Sequence, residues 1–343
     1  MPIRLESMSD RLRCRVDRYC RRVDVLSDAI AVMRLGRPHA SRTLTAAPWG
    51  FRFLPSSSAG FHVVLQGSCW VRPPDAAPIH VHAGDVVFLP NGRGHGLSDG
   101  LDTPMVDVPP TALVEFGTPA PPESPLAEAA PAATAAPPSG ALLLCGAYQL
   151  DRGHIHPLLR EMPDVVHFPA RVGQHPALRT AVDLLGTELE LRRPGSDAVV
   201  TALLDAMLLF IVRAWFESAE VSDAPAGWAA AMTDPVVHGA LRQIHERPAA
   251  PWTVESLAAA AGLSRAAFAR RFSALAGQPP LTYLTWWRMV LAGRLLRSSD
   301  LALDAVARRV GYTSEFAFAK AFKRHVGIAP GRYRRETELP ATG

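Results

Sequence analysis

Hydrophobic residues occur in short runs through the first part of the chain and at helical spacing in the rest. Apolar or alternating runs bounded by Gly and Pro predict strands, at 62–67, 68–72, 79–82, 83–95 and 141–150. Helical spacing predicts two helices at 176–191 and 198–217, and helices throughout 235–335. The helix at 198–217 is apolar around most of its circumference, so it must be buried on more than one side. Strands followed by helices indicate an α+β protein with more than one domain.

The last hundred residues contain one pattern twice. The residues Phe268, Phe272, Gly277, Pro280 and Tyr283 recur at the same spacing as Phe318, Phe322, Gly327, Pro330 and Tyr333. Each copy is preceded by a short helix and a turn glycine, Gly262 or Gly311, with one residue inserted ahead of Phe318. Helix, glycine turn and helix is the helix-turn-helix arrangement, which places its second helix in a DNA major groove.

The second helix of each copy has an apolar stripe and an opposite face of small or charged residues. The stripes are predicted to be Phe268, Phe272 and Leu275 in the first copy, and Phe318, Phe322 and Val326 in the second. The opposite faces carry Arg265, Ala266, Ala269 and Arg270, and then Glu315, Phe316, Ala319, Lys320 and Lys323. Small residues allow close approach to a groove, and arginine can pair with guanine. A solvated amphipathic helix is the alternative for a single copy, and two copies in register favour DNA.

Charge separates the chain into two parts. Residues 235–335 contain 16 Lys and Arg against 5 Asp and Glu, whereas the whole chain has a net charge of only +4. The remainder is therefore acidic. A basic module joined to an acidic one is expected when only one of them contacts phosphate.

Residues 235–335 resemble the DNA-binding domain of AraC/XylS-family transcription regulators, from the helix after Asp234 to the closing residues 327–335. The resemblance implies two recognition helices held by a bridging helix around 283–299. It implies base contacts from Arg265, Ala266, Ala269, Arg270, Glu315, Phe316, Ala319 and Lys320. Phosphate contacts, which position a protein without reading sequence, are expected from Arg271, Lys323 and Arg324.

Gly84, Pro90, Gly92 and His95 fit the second motif of cupins. This part of the chain resembles the cupin-like effector and dimerisation domain of many AraC-type regulators. Short strands with Gly and Pro turns also favour a small antiparallel barrel that can hold one ligand. The expected fold is therefore a cupin-like antiparallel β-barrel with two dimerisation helices, followed by an all-α domain of two helix-turn-helix units.

The histidines of this domain do not form a predicted metal site. If Gly67 is the turn glycine of the first cupin motif, Gly60 stands where a glutamate ligand is required. One imidazole, His95, does not make a metal site. His80 and His82 share a strand face and could pair with His62 or His95, so these four histidines are the candidate effector pocket. We expect no metal and no cofactor other than an unidentified small-molecule effector.

The predicted segments follow from composition. They are a basic arm at 1–22, the regulatory domain at 23–218, a disordered Pro/Ala-rich loop at 109–140 within it, a linker at 219–234, the DNA-binding domain at 235–335 and a tail at 336–343. The arm lacks the apolar segment of a secretion signal. No apolar run reaches the roughly 18 residues of a membrane span. A cytoplasmic location and no membrane partner are expected.

The four cysteines, Cys14, Cys20, Cys69 and Cys145, fit no zinc spacing and are expected to be reduced in the cytoplasm. The sequence contains no recognisable nucleophile and base set, so an enzyme is not expected. The favoured hypothesis is a homodimeric transcription regulator, of activator type, that binds double-stranded promoter DNA and contacts RNA polymerase. Two alternatives stay open: a metal-dependent cupin enzyme fused to a DNA-binding domain, and a redox sensor using Cys69 and Cys145.

Overall fold

A computed structural model of the chain describes residues 24–108, 140–150, 156–220 and 227–338. Two compact units are present. The first unit consists of the described residues of 33–231 together with 275–277, and the second of residues 24–32, 232–274 and 278–338. The predicted arm, the predicted loop apart from Gly140, and the last five residues of the tail lie outside the described residues.

Apart from a first helix and one short helix ahead of the last strand, strands precede helices, as predicted. In chain order they are α1 (Val25–Met33), β1 (His39–Leu44), β2 (Gly50–Phe53), β3 (Ser58–Gln66), β4 (Ser68–Arg72), β5 (Ile79–His82), β6 (Val86–Leu89), β7 (His95–Ser98), β8 (Val106–Val108), β9 (Leu142–Gln149), α2 (Pro157–Glu161), β10 (Val166–Phe168), α3 (Pro176–Leu191), α4 (Ser196–Glu220), α5 (Gly227–Thr233), α6 (Pro235–Glu246), α7 (Val254–Ala260), α8 (Arg265–Ala276), α9 (Pro280–Ser298), α10 (Leu303–Arg309), α11 (Glu315–Val326) and α12 (Pro330–Glu338).

The first unit is built on two five-stranded sheets with the orders β1-β9-β3-β6-β10 and β5-β4-β7-β2-β8. All pairings are antiparallel except that of β2 with β8. The sheets enclose an apolar core to which both contribute, for example through Phe51, Val71 and Leu143. This arrangement confirms the predicted cupin-like antiparallel domain.

Strand β9 is buried on both faces. Leu143 and Cys145 point into the core between the sheets, whereas Tyr148 has the opposite parity and lies on the other face. The Tyr148 hydroxyl donates a hydrogen bond to the carbonyl oxygen of Leu204 in α4 (2.8 Å). Burial on both sides explains why this strand is a continuous apolar run and does not alternate.

Helix α4 is long and strongly apolar. Of the residues that the structure describes, only its stretch Ser196–Ser218 is long and apolar enough to cross a bilayer, with a mean hydropathy of 2.0. A buried core helix has the same composition. Here Asp205 interrupts the apolar run and forms an ion pair with Arg34, and the hydrogen bond from Tyr148 ties the helix to the sheet.

Two features lie near the predicted domain boundaries. Residues 25–32, predicted within the regulatory domain, group by their contacts with the second unit. The predicted linker contains helix α5, whose Trp228 is fully buried. The Trp228 amide donates to the Glu161 carboxylate in the first unit (2.8 Å). Buried Trp228 therefore holds the helical part of the predicted linker in place.

Candidate nucleic-acid interface and barrel interior

The two turns of the second unit have the same geometry. Gly262 and Gly311 take left-handed backbone conformations, with φ of +67° and +83°. The amides of Leu263 and Tyr312 each donate to a carbonyl five residues earlier, at 3.0 and 2.9 Å. This closure requires a left-handed residue after the helix, which glycine adopts without strain. The predicted helix-turn-helix units are confirmed as α7–α8 and α10–α11.

The paired phenylalanines fix the rotation of each second helix. Phe268 and Phe272 lie 5.8 Å apart between ring centroids, and Phe318 and Phe322 lie 5.7 Å apart. All four rings are fully buried. Leu275 and Val326, the last residues of the predicted stripes, are only partly buried, and Val326 packs against the core that contains Phe318 and Phe322.

The predicted base-contacting residues lie on the solvent side of these helices. The exposed ones are Arg265, Ala266, Arg270, Glu315, Phe316 and Lys320, with Ala269 and Ala319 partly buried beside them. Within the described part of the chain, Arg270 and Lys320 form no hydrogen bond or ion pair. Since they occupy equivalent positions in the two copies, both units present a free cation at the same place on their outer face.

Two of the predicted arginines are instead held by carboxylates. Arg265 Nε lies 2.7 Å from Glu255 Oε1, and both side chains are largely exposed, so the pair contributes little to stability. Arg271 Nη2 lies 2.5 Å from Asp234 Oδ2. Asp234 also caps α6 by accepting from the amides of Val236 and Val237. Arg271 therefore braces two helices of the unit, while Lys323 and Arg324 are exposed and remain the predicted phosphate contacts.

Two histidines and one cysteine meet inside the barrel. His62 on β3 pairs in register with Cys145 on β9, and its Nδ1 lies 3.0 Å from Cys145 Sγ. His62 Nε2 lies 2.6 Å from His95 Nε2. The His95 ring stacks on Phe53 with centroids 4.8 Å apart. His62 and His95 are two of the four histidines of the predicted pocket, and the structure brings them together. Their contact with Cys145 was not predicted, because register between strands so far apart in the chain leaves no local signal.

The other two histidines of the predicted pocket are elsewhere, so that part of the prediction was wrong. His80 stacks on Trp70 at 4.5 Å, and His82 lies 4.4 Å from His80. Both histidines are exposed. Their strand alternates, and Val81 between them takes the buried side.

Burial determines protonation in the cluster. It lowers the pKa of His62 well below its usual value, with a further contribution from neighbouring His95. Burial also lowers the pKa of His95, to about 4. Both rings are therefore neutral at pH 7, so only one nitrogen of the Nε2 pair carries the shared proton. The pKa of Cys145 is raised by burial, so the thiol is protonated and can donate to His62 Nδ1.

The cysteines and the small cavity complete the interior. Cys69 and Cys145 are free and buried, and burial raises the pKa of Cys69 to about 12. A cavity of 10 Å³, about the space of one water molecule, is bounded by Ser41, Thr43, Phe51, Phe53, Leu97, Leu143 and Cys145. Among the described residues, no three His, Cys, Asp or Glu side chains are placed to hold a metal ion.

Known proteins match both units. The family described as Cupin matches residues 24–217, and the family described as Helix-turn-helix domain matches residues 257–336. An AraC-like transcription regulator of Streptomyces antibioticus is 34% identical over 316 residues, which cover 91% of this chain and 99% of that protein.

Two further proteins illustrate the range of the similarity. The HTH-type transcriptional regulator AlkR of Acinetobacter baylyi is 29% identical over 92% of this chain and 100% of its own. The DNA-binding domain of AdpA, solved in complex with a target DNA, is 39% identical over 30% of this chain and 92% of its own, with a TM-score of 0.29.

Proposed function

Because this chain belongs to the AraC-like transcription regulators, and is thus a DNA-binding protein, we propose that α8 and α11 read adjacent major-groove segments of promoter DNA. The supporting observation is the repeated presentation of one free cation, Arg270 or Lys320, beside a small residue on the exposed face. The faces differ, since Ala266 in the first corresponds to Phe316 in the second. The site should therefore consist of two dissimilar boxes about 34 Å apart.

We propose that the first unit binds the signal and joins two copies of the chain into a dimer. The dimer acts in the cytoplasm as a transcription regulator that contacts RNA polymerase, and it is not an enzyme. The cavity beside Cys145 supports a sensory role, although an effector larger than water must open it. Large apolar side chains stay exposed on α3 and α4, including Leu184 (52%), Leu191 (55%) and Val199 (42%). Such surface is typical of an interface between subunits.

Arg270→Ala should weaken binding to the preferred site by about 1–3 kcal/mol and relax selectivity at one base pair. The reason is that a free guanidinium can bond two acceptors of guanine, which alanine cannot. The measurement is fluorescence anisotropy with the preferred duplex and its single-base variants.

Lys323→Ala is the matched control, because Lys323 is exposed one turn beyond Lys320, on the helix of the second box. Its loss should weaken all duplexes alike and reduce the slope of log K against log salt by about 1. If Arg270→Ala behaves like Lys323→Ala, Arg270 contacts phosphate and the proposed reading role is wrong.

A second candidate signal is thiol oxidation, favoured by the contact between Cys145 Sγ and His62 Nδ1 (3.0 Å). His62 can accept the thiol proton as sulfur attacks an oxidant, and His95 accepts a hydrogen bond from the resulting imidazolium. With hypochlorous acid, the thiol takes the chlorine and water leaves. Reaction with Cys69 would then give a disulfide and hydrogen chloride.

Hypochlorite at a few equivalents should therefore modify Cys145 and change DNA affinity by several-fold. Peptide mass spectrometry locates the modification, and anisotropy follows affinity. Cys145→Ser should abolish the response. Unmodified Cys145, or a response that survives in Cys145→Ser, would rule out this signal.

A further inference from the structure

Phe316 is the one aromatic side chain among the strongly exposed hydrophobic residues of the described chain, with 79% of its surface accessible. Its ring contacts no other aromatic ring in that part of the molecule. A phenylalanine exposed to this extent forgoes most of the stabilisation that burial of its ring would provide. The position is therefore unfavourable in the free protein.

The ring lies on the face that a groove would meet. Phe316 is the second residue of α11, directly after the Ser314 cap and Glu315. At 3.6 residues per turn it is about 200° from buried Phe318, so it points away from the core. The N-terminal residues of a recognition helix are those that reach base edges.

Its neighbours show that the ring is not part of an apolar docking patch. Lys320 and Lys323, one and two turns onward on the same face, are both exposed and charged. Ala319 is small and leaves room beside the ring. An isolated apolar group within a basic surface fits a partner that is anionic overall and apolar at one point.

We propose that Phe316 recognises the C5-methyl group of a thymine in the box bound by the second helix-turn-helix unit. This inference rests on the proposed function, since it assigns the base feature read by one residue of that interface. Phenylalanine has no donor or acceptor, so it cannot discriminate the polar edges of the bases. The thymine methyl is the apolar group that the major groove presents.

The size of the effect follows from burial of one methyl group. Removing it from a contact loses about 0.8 kcal/mol, or roughly fourfold in affinity. Replacing the ring by alanine removes the same preference and leaves the backbone unaffected, because the side chain supports no core contact.

The test uses the full-length chain and the duplex that it selects from a random library. Each thymine is replaced singly by deoxyuridine, which removes the methyl and retains the base pair. Wild type should bind one substituted duplex, in the second box, about fourfold more weakly. A duplex with 5-methylcytosine·guanine in place of that T·A pair should bind more tightly than a duplex with cytosine·guanine there.

Two variants distinguish the contribution of the Phe316 ring from general electrostatic attraction to DNA. Phe316→Ala should bind the uracil and thymine duplexes equally, whereas Lys320→Ala should bind both more weakly and keep the fourfold difference. A uracil penalty that persists in Phe316→Ala, or specific binding with no penalty at any thymine of the second box, overturns the inference alone. Failure of wild type to select any sequence overturns the inference together with the proposed function.

Discussion

Phe318→Ala will reduce the free energy of opening of the second unit by about 3–5 kcal/mol, whereas Phe316→Ala will change it by less than about 0.5 kcal/mol. Phe318 is fully buried in the core with Phe322 and Tyr312. Its ring centroid lies 5.9 Å from that of Tyr312 and 5.7 Å from that of Phe322. Removing it leaves a cavity, whereas removing Phe316 leaves none.

Hydrogen exchange read by mass spectrometry on peptides from 315–326 measures this difference within the unit itself. A local probe is needed because a chain of two units need not unfold in one step. Similar protection in the two variants would show that Phe318 does not anchor the helix. The assigned orientation of α11, and with it the exposed face, would then be incorrect.

Acidification will destabilise the first unit between about pH 6.5 and about pH 4 through the His62–His95 pair. Burial lowers the pKa of His95 from 6.5 to about 4, so in this range the unfolded chain binds a proton that the folded chain does not. Stability is therefore complete above the unfolded pKa and is lost as the pH falls towards the folded one. The loss from His95 alone is on the order of 3 kcal/mol.

Urea titrations followed by circular dichroism, at about pH 7.5 and about pH 4.5, give the pH dependence of unfolding. The double variant His62→Gln with His95→Gln should flatten it, since neither glutamine titrates. His80→Gln is the matched control, because His80 is exposed on the same domain and should leave the slope unchanged. An unaltered slope in the double variant would assign the pH dependence to other groups.

Many features of the second unit can be predicted from the sequence. The repeat identified Gly262 and Gly311 as turn residues, and both take the left-handed conformation. The spacing of Phe268 with Phe272, and of Phe318 with Phe322, identified the buried stripes. These features can be predicted because helix periodicity and glycine conformation are local properties that depend on residues close together in the chain.

Several strands of the first unit were also predicted, with β4 and β5 at their observed bounds, whereas β1, β2, β8 and β10 were not assigned individually. Which face of a strand is apolar follows from the alternation of residues along that strand, and this alternation is also a local property. The helices α3 and α4 likewise began and ended close to the predicted positions. The sequence thus located part of the strands and the two long helices of this unit, but it did not predict the helix α1 (Val25–Met33).

Which side chains come into contact follows from the packing of the elements in three dimensions. His62 and Cys145 face each other because β3 and β9 pair in one register out of several that the apolar pattern would permit. His80 and His82 do not join them, because the buried side of β5 belongs to Val81. Arg271 is bound to Asp234 while Arg270 is free, a difference of one position on the helix. Contacts between residues distant in the chain depend on how elements pack, and packing leaves no signal in the local pattern.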